Sequence, residues 1–465
     1  MQAKLSVAAT VAIGWLLLSL GACTPEDEEL TLEAGAQLAF GQDTVQFDTI
    51  FTSVGSTTRW LQVYNPQDQA VNISSIALGA SESSPFRIRV NGDAGSQFQD
   101  VRLRGGDSLL ILVEVEIDPQ DADLPFIIKD SIVFRTNGTV QAVNLEVWGQ
   151  DAYFLSGEVV TRNTTFSGGR PYVIRDSLWV LPSATLTLTA GAQLYFDNRA
   201  YMQVDGTLIA EGTPDARVRL QHVRSDGDYA DALGQWQGVF FGPNSKNNRL
   251  NYTIIRNAVI GVGIVSPDND TVPDITLANT VIEYMASYGI LARYTDVDVY
   301  NTLIANCAEG SVRGEGRAYY RFRHCTMTNE GSFFIREDNQ PLLGFDQNYV
   351  GPEGLTQDFS LRISNCIVWG NLDNELLFGE VRPENPVGLS LLNTILNSTD
   401  EDEERTEANL YNQEPLFVAP TESNYQLDSL SPAVDAGLNL DIEQDLNGNP
   451  RDAQPDVGAY EFIGQ

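Results

Sequence analysis

A short pattern of polar and apolar positions recurs six times between residues 251 and 396. Each copy has a polar residue, then Thr or Cys, then two residues that are both apolar in five of the six copies. The copies are 252–255, 279–282, 301–304, 324–327, 365–368 and 393–396. Successive copies are 27, 22, 23, 41 and 28 residues apart. A β-rich repeat of this length is typical of a solenoid, and the longest step predicts one coil that carries an insertion.

The Thr or Cys of each copy is predicted to point into a shared interior, stacked on its counterpart in the next coil. The polar residue before it is Asn in four copies, and Asn tolerates the left-handed backbone of a sharp bend. An ordinary β-sandwich in which Asn-Thr pairs occur by coincidence stays open as an alternative.

The residue after the Thr or Cys is apolar in five copies. Because side chains alternate along a strand, this column is expected to face outward. An exposed apolar stripe would mark a contact surface. The alternatives are that a loop covers the stripe or that the alternation shifts at the bend. The five residues are Ile254, Val281, Leu303, Ile367 and Ile395.

Residues 32–150 alternate apolar and polar positions in short runs that Gly, Asn, Asp and Pro interrupt. The spacing predicts an antiparallel sandwich of about seven strands. The motifs at 84–86, 106–108 and 145–149 resemble the immunoglobulin-like modules of bacterial surface proteins. We therefore expect an all-β chain in which an immunoglobulin-like β-sandwich precedes a solenoid.

Strand-like runs that Gly and Pro separate continue from residue 155 to residue 250. Together with the later repeats, this passage resembles the right-handed parallel β-helix lipoproteins of Bacteroidetes, which implies a β-helix over 155–408. The motifs at 431–437, 445–451 and 455–462 resemble the choice-of-anchor Q region. That resemblance implies a C-terminal cap on the solenoid over 409–465 rather than a catalytic site.

Residues 1–22 have the pattern of a signal peptide, with Lys4 before an apolar run. The sequence Leu-Gly-Ala-Cys that ends at Cys23 resembles the lipobox of bacterial lipoproteins. The resemblance implies cleavage before Cys23, lipid attachment to that residue, and a membrane partner reached through the N-terminal lipid. Residues 23–31 read as an acidic tether. We expect an outer-membrane protein displayed at the cell surface.

Charge narrows the possible partners. The 465 residues include 28 Lys and Arg against 63 Asp and Glu, a formal net charge of −35. Nucleic acid favours basic surfaces, so no nucleic-acid partner is expected. Bound cations, Ca²⁺ in particular, are compatible with the excess of acidic residues. Cys325 and Cys366 share the inward column and are predicted to be free, packed thiols.

Candidate catalytic chemistry rests on a few residues, because right-handed β-helices include polysaccharide lyases and hydrolases. Arg293 with Asp296 and Asp298 is the nearest arrangement to a lyase site. Glu283 and Asp298 could form the carboxylate pair of a glycosidase if neighbouring coils bring them together. The sequence lacks the paired Asp-Asp and Gly-His-Gly phrases of pectin hydrolases, and fold alone proves no activity.

Aromatic and charged residues cluster between residues 313 and 323, where they could stack on and hydrogen-bond to sugar rings. The candidates are Arg313, Glu315, Tyr319, Tyr320, Arg321 and Arg323. Separately, Asp445, Asn447 and Asn449 alternate as Ca²⁺ ligands do, but Asp456 stands where a calcium loop carries Glu. A tight turn at Asn447-Gly448 is the favoured interpretation of that segment.

The sequence thus favours a lipid-anchored β-helix protein that binds or displays, with a polysaccharide or another surface protein as partner and without catalysis. A polysaccharide lyase or hydrolase that acts on acidic glycans is the alternative function. A purely structural surface scaffold is the third.

Overall fold

A computed structural model gives the fold of residues 28–56, 58–224, 229–349, 353–379, 388–399 and 406–464. The predicted signal peptide, Cys23 and most of the acidic tether lie outside these described residues. The chain divides into two compact units, Met1–Asp151 and Ala152–Gln465. The described part is built of β-strands, as the sequence predicts, with short 3₁₀ turns at Ser81–Ser83 and Pro420–Glu422.

The first unit contains two five-stranded sheets, in the orders β1-β3-β8-β5-β6 and β2-β10-β9-β4-β7. Its strands are β1 (Ala39–Phe40), β2 (Thr44–Phe51), β3 (Arg59–Tyr64), β4 (Val71–Leu78), β5 (Phe86–Val90), β6 (Asp93–Gly95), β7 (Gln97–Leu103), β8 (Ser108–Val115), β9 (Phe126–Thr136) and β10 (Thr139–Gln150). Apolar residues of both sheets form one buried core.

This unit differs from its prediction in two respects. The described residues hold ten strands rather than about seven, because short segments such as β1 and β6 pair at the sheet edges. β2 also pairs with β10 in parallel, so the sandwich is not wholly antiparallel. The immunoglobulin-like assignment stays a prediction.

The second unit winds into coils with up to three strands each. Coils 1 to 4 contain β11 (Tyr153–Leu155), β12 (Glu158–Val160) and β13 (Thr164–Phe166); β14 (Tyr172–Ile174), β15 (Ser177–Val180) and β16 (Thr185–Thr189); β17 (Gln193–Phe196), β18 (Tyr201–Val204) and β19 (Thr207–Glu211); and β20 (Val218–His222), β21 (Gly238–Phe241) and β22 (Asn248–Asn251).

The clear repeats begin with coil 5. Coils 5 to 8 contain β23 (Thr253–Arg256), β24 (Val262–Val265) and β25 (Ile275–Ala278); β26 (Val281–Met285), β27 (Tyr288–Arg293) and β28 (Val297–Tyr300); β29 (Leu303–Cys307), β30 (Gly310–Glu315) and β31 (Tyr319–Arg323); and β32 (Thr326–Thr328), β33 (Leu343–Asp346) and β34 (Ser360–Ser364). The last strands are β35 (Ile367–Trp369), β36 (Leu376–Phe378) and β37 (Leu389–Leu392) of coil 9, then β38 (Ile395–Leu396), β39 (Thr406–Glu407) and β40 (Leu410–Tyr411).

Equivalent strands of successive coils pair in parallel and form three long sheets. Sheet 1 has 11 strands, which are every third strand from β11 to β38 followed by β40. Sheet 2 has 9 strands, every third strand from β12 to β36. Sheet 3 has 10 strands, every third strand from β13 to β37 followed by β39. Inward positions stack as continuous apolar columns. One column of sheet 3 comprises Phe166, Leu188, Ala210, Leu250, Leu277, Val299, Phe322, Ile363 and Leu391, all buried. This is the predicted right-handed parallel β-helix, in which each coil buries the apolar side of the next.

The recurring phrase marks the corner between sheet 3 and sheet 1. Its first residue has a positive φ of 45–52° in all six copies, the left-handed conformation that the Asn column predicts. Asn301 donates to Asn279 Oδ1 at 3.1 Å, and Asn365 Nδ2 lies 2.9 Å from His324 Nε2, so the column forms a partial ladder. The inward stack is confirmed, since Thr253, Thr280, Thr302, Cys325, Cys366 and Thr394 are all at most 1% exposed.

The three cysteines of the described residues are free and buried: Cys307, Cys325 and Cys366. The backbone amide of Cys325 lies 3.4 Å from Cys366 Sγ, so the two thiols are packed as predicted.

The structure also explains the long step of the repeat. Coil 8 carries a loop at 329–342, and a fully buried ion pair between Arg336 and Glu375 holds it to coil 9.

The C-terminal segment, residues 413–464, lies over the outer face of sheet 1. It contains β41 (Phe417–Ala419) and β42 (Asn424–Leu427). Its apolar residues Phe417, Tyr425, Leu427, Ala433, Leu446, Val457 and Ala459 form one buried cluster with Leu303, Ala305, Ile367 and Ile395 of sheet 1. The outward apolar stripe therefore exists, and its own chain covers it. The segment packs along the side of the solenoid, not only at the end where the sequence predicted a cap.

Candidate functional site

The outer face of sheet 3 carries a column of polar residues that runs from coil 4 to coil 9. Its members are Arg249, Thr276, Asp298, Arg321, Arg362 and Ser390, each in register with the next. Coils are about 4.8 Å apart, so neighbouring side chains of the column are within reach of each other. A groove of about 280 Å³ opens beside its middle, and Asp296, Tyr319, Ser360 and Thr271 also line it.

Asp298 forms ion pairs with two arginines, of which Arg321 lines the groove. Arg321 donates Nε to Asp298 Oδ1 at 2.9 Å and Nη2 to Oδ2 at 2.8 Å, the two-pronged geometry that Arg and a carboxylate prefer. Arg323 Nη2 lies 3.0 Å from both oxygens of the same carboxylate. Arg321, Arg323 and Asp298 taken alone therefore carry a net charge of +1, and the carboxyl group of Asp296 also lines the groove.

Arg362 adds a further positive charge directly beside Arg321. The two residues are register partners on β31 and β34. Arg362 is exposed and forms no ion pair with any residue that the structure describes, whereas Arg321 is paired with Asp298. Like charges on adjacent strands repel each other, so this arrangement favours an anion between or above them.

Tyr319 and Tyr320 point to opposite sides of β31. Tyr319 is half-buried and lines the groove. Tyr320 is 1% exposed and packs in the core, with its ring centroid 4.9 Å from that of Phe345. Strand alternation turns the Tyr320 ring toward the apolar interior, and Tyr320 still contributes to the lining of the groove, so its role as a ligand contact stays a prediction.

Arg313 and Glu315 lie on sheet 2 rather than beside the groove. β30 pairs with β27 and β33, and the Arg293 Nε donates to Glu315. Arg313 Nε is 3.5 Å from the other oxygen of Glu315. The predicted binding cluster is therefore divided between two sheets, with Tyr319, Tyr320, Arg321 and Arg323 on sheet 3.

The structure places the predicted catalytic residues Glu283, Arg293 and Asp298 on three different sheets. Glu283 lies on sheet 1, where its Oε1 is 3.4 Å from Arg256 Nε, and Asp298 lies on sheet 3. Burial raises the pKa of Glu283 above its ordinary value, and Arg256 opposes the change. Arg293 pairs with Glu315 and not with Asp296 or Asp298. The sequence placed these residues close in the chain, but coil geometry separates them.

Asp296 is the most perturbed carboxyl in the groove. Its Oδ1 accepts hydrogen bonds from the Tyr319 amide at 2.8 Å and from Gln357 Nε2 at 2.6 Å. Burial raises the pKa of Asp296 to about 7, and the negative charges of Asp274 and Asp268 add to the effect. Perturbed groups of this kind concentrate at functional sites.

The loop between β24 and β25 approaches Asp296. One carboxylate oxygen of each of Asp268, Asp270 and Asp296 lies within 4.8 Å of the others, an arrangement able to hold a metal ion. Lys246 forms ion pairs with Asp268 and Asp274 at the same place. Sequence reasoning missed Asp268, Asp270 and Arg362. The Asp-Asn-Asp run at 268–270 was a usable signal, but Arg362 has no local motif.

The C-terminal candidate for Ca²⁺ has the geometry of a turn. Asp445 is fully buried, and its Oδ1 accepts the backbone N–H groups of Asn447 and Asn449 at 2.9 and 2.8 Å. Its Oδ2 accepts Asn449 Nδ2 and the Glu461 amide. Both oxygens thus stabilise the loop around Gly448, as the turn interpretation expects.

The comparisons with known proteins give little guidance. No protein-family model and no curated protein sequence matches the chain. Among solved structures, one similarity is to a family 123 glycoside hydrolase from Clostridium perfringens, studied for glycolipid glycan hydrolysis, at 8% identity and a TM-score of 0.19. Another is to the VesB protease of Vibrio cholerae, at 17% identity and a TM-score of 0.18.

The two alignments cover 27% and 24% of this chain, and 30% and 31% of those structures. The chain therefore spans less than a third of either structure, and similarity this low bears on neither fold nor function. Within the described residues, none of the elements is a helix with the length and apolar character that a membrane crossing requires.

Proposed function

We propose that the protein is a β-helix scaffold that binds an anionic glycan along the outer face of sheet 3, without catalysis. The observation that carries the proposal is the exposed Arg362 beside the Asp298-bound Arg321 in a groove of the solenoid. Arg presents a planar fork of donors that matches a carboxylate or a sulfate, so uronate or sulfated sugars are the chemical class that fits.

Tyr319 provides the apolar part of such a site. It lines the groove together with Arg321, and its register partner on the next coil is Ser360. An aromatic ring beside hydroxyl and guanidinium donors suits a sugar, which has an apolar face and a polar edge. The open groove would admit a chain rather than enclose a small molecule.

The net charge of −35 does not oppose this assignment at contact distance. Screening in about 0.15 M salt limits the reach of exposed charges to about 8 Å, so the nearest groups determine the local interaction. The overall negative charge instead lowers the rate of encounter with an acidic polymer, and that rate will rise with salt.

Lipid anchoring at the cell surface belongs to the same proposal. It is supported by the lipobox-like sequence that ends at Cys23 and by the resemblance to β-helix lipoproteins of Bacteroidetes, both features of the sequence. A lipid on Cys23 would hold the groove close to the outer membrane, where polysaccharide is encountered. Intact mass of the protein from its native membrane, with and without Cys23→Ala, tests the lipid.

Glycan binding is tested by titrating full-length protein with oligogalacturonate and with a neutral galactan of equal length, followed by calorimetry. We expect saturable binding of the acidic oligomer only. Arg362→Ala should weaken it at least about tenfold, since a charged hydrogen bond is worth about 1.5–3 kcal/mol. Arg87→Ala is the matched control, an exposed arginine of the first unit that pairs with Glu116.

Equal binding of both glycans, or an affinity that Arg362→Ala leaves unchanged, would contradict the site. New reducing ends or unsaturated-uronate absorbance in the same samples would replace the binding function with a hydrolase or a lyase. No binding across a glycan array would instead support a structural scaffold.

A further inference from the structure

Three carboxylates meet beside the groove with the spacing of a cation site. Asp268 and Asp270 lie on the loop between β24 and β25, and Asp296 immediately precedes β28. Their nearest oxygens are within 4.8 Å of one another. Two oxygens that bind one Ca²⁺ at about 2.4 Å are at most about 4.8 Å apart, so the observed spacing meets the upper limit for ligands of a single ion.

Asp296 gives a second observation that points to a ligand. The residue is 2% exposed, and its Oδ1 is satisfied by Tyr319 and Gln357. Its Oδ2 is buried and has no hydrogen-bond partner among the residues that the structure describes. A buried carboxylate oxygen without a partner is costly, and native structures normally satisfy it with a donor, a water or an ion.

The charge of the surroundings also favours a cation. Asp274 is 2% exposed. Its carboxylate accepts hydrogen bonds from Lys246, from Ser266 Oγ at 3.0 Å and from the Asp296 amide at 3.0 Å. Lys246 also pairs with Asp268. Four carboxylates, those of Asp268, Asp270, Asp274 and Asp296, therefore share one ammonium group, and Lys246 leaves the excess negative charge uncompensated.

We propose that Asp268, Asp270 and Asp296 bind one divalent cation, with Ca²⁺ as the preferred ion. The donors are hard oxygens, and one of them, Asp270, is on an exposed part of a loop. Ca²⁺ accepts six to eight oxygens in variable geometry and completes its shell with water, whereas Mg²⁺ demands a near-ideal octahedron. The bound ion would hold the loop against coil 6 beside the groove. This inference is independent of glycan binding.

The test uses full-length protein stripped of metal with EDTA and then titrated with CaCl₂ alone in a calorimeter. We expect one saturable site with a Kd of about 10⁻⁴–10⁻³ M, the range of many extracellular sites, and a higher thermal midpoint with Ca²⁺. MgCl₂ should bind more weakly. Binding is measured without any glycan, so its outcome is separate from that of the proposed function.

Two substitutions identify the ligands. Asp296→Asn keeps the shape of the buried side chain, and Asp270→Asn changes an exposed residue while keeping a side-chain oxygen that can accept the Val272 amide. Each substitution should weaken the affinity for Ca²⁺ at least about tenfold, because each removes one charged ligand. Asp215→Asn, at an exposed acidic residue outside the cluster, should leave the affinity unchanged. No saturable binding up to about 10 mM Ca²⁺, or equal affinity in wild type and both cluster variants, would overturn the proposal.

Discussion

Sheet 1 and sheet 3 run through the same coils and meet at a corner, and each presents its own outer face. In coils 7 to 9 the outward residues of sheet 1 include Leu303 and Ile367, which are at most 2% exposed beneath the C-terminal segment. The outward residues of sheet 3 include Arg321 and Arg362, which are exposed. One face is apolar and covered by its own chain, and the other is charged and open.

The difference shows how a solenoid separates stability from recognition. The interior is the same for both sheets, so it does not distinguish them. What distinguishes them is the outer column, because apolar residues there require a covering segment while charged residues remain hydrated. An outward column read along successive coils therefore predicts which face is available to a ligand.

The largest effect is expected where a charge enters the covered face. Ile367 is fully buried and lies against Gly458 of the C-terminal segment. Ile367→Asp should lower the free energy of unfolding by more than about 4 kcal/mol, since it buries a carboxylate without a partner. Ile367→Ala, which leaves only a cavity, should cost about 2–5 kcal/mol. Urea unfolding followed by circular dichroism measures both.

Arg362→Asp is the control for that experiment, a charge change at a nearby position of the open face. It should alter the free energy of unfolding by no more than about 0.5 kcal/mol. A comparable loss in Arg362→Asp and Ile367→Asp would show that the two faces do not differ as the comparison states.

The next effect concerns a buried charge that joins the C-terminal segment to coil 7. Arg451 is paired with Glu461 at 2.9 Å, and its Nη2 donates to Asn301 Oδ1 and to the Gly458 carbonyl. Arg451→Met should lower the free energy of unfolding by about 3–5 kcal/mol, because it leaves the buried Glu461 without its ion-pair partner. Thermal and urea unfolding of the variant give the value.

Arg321→Met provides the open-face counterpart. Asp298 keeps its ion pair with Arg323 when Arg321 is replaced, and the site is partly hydrated. We therefore expect the free energy of unfolding to fall by only about 0–1 kcal/mol. A loss for Arg451→Met as small as that for Arg321→Met would mean that the C-terminal segment contributes little to the solenoid.

The smallest effect depends on pH. His324 occupies the Asn column with φ 49°, and burial, assisted by the charge of Arg451, lowers its pKa to about 3. Because this pKa is below that of an unfolded His, the neutral ring supports folding above about pH 6.5, and that support is lost as pH falls toward 3. His324→Asn suits the bend and cannot be protonated, so we expect it to be more stable than wild type at pH 4.5 by about 1–3 kcal/mol.

The same comparison at pH 8 is the control for His324→Asn, since both proteins then carry a neutral side chain at this position. Asp456, whose pKa burial raises to about 6, titrates with the opposite sign, because its stabilising contribution is lost as pH rises from 4 through 6. Asp456 is present in both proteins, so it largely cancels in the difference. A pH-independent difference between the two proteins would contradict the assignment to His324.

The sequence predicted the solenoid because stacking repeats the same requirement in each coil. Thr280, Thr302 and Cys325 occupy equivalent positions, and Asn appears where the backbone must turn left-handed. The insertion in coil 8 followed from one irregular step. These features are local and periodic, so a single sequence contains them.

The site was only partly predictable. Arg321 and Arg323 were identified from a local cluster, but their partner Asp298 and their neighbour Arg362 come from coils before and after them. Glu283 and Asp298 belong to the same coil, yet they lie on different sheets because β27 of sheet 2 comes between them. Lateral packing of the C-terminal segment on Ile367 was also beyond local patterns, since the two segments are far apart in sequence.

The three buried thiols have one experimental consequence. Burial raises the pKa of Cys307 to about 12, and it raises that of Cys366 well above the ordinary value. Thiolate, the form that reacts with alkylating agents, is therefore scarce in the folded protein, and reagent has no path to the sulfur. These three thiols can be labelled only when neighbouring coils separate. The rate of labelling therefore reports how often the middle of the solenoid opens locally.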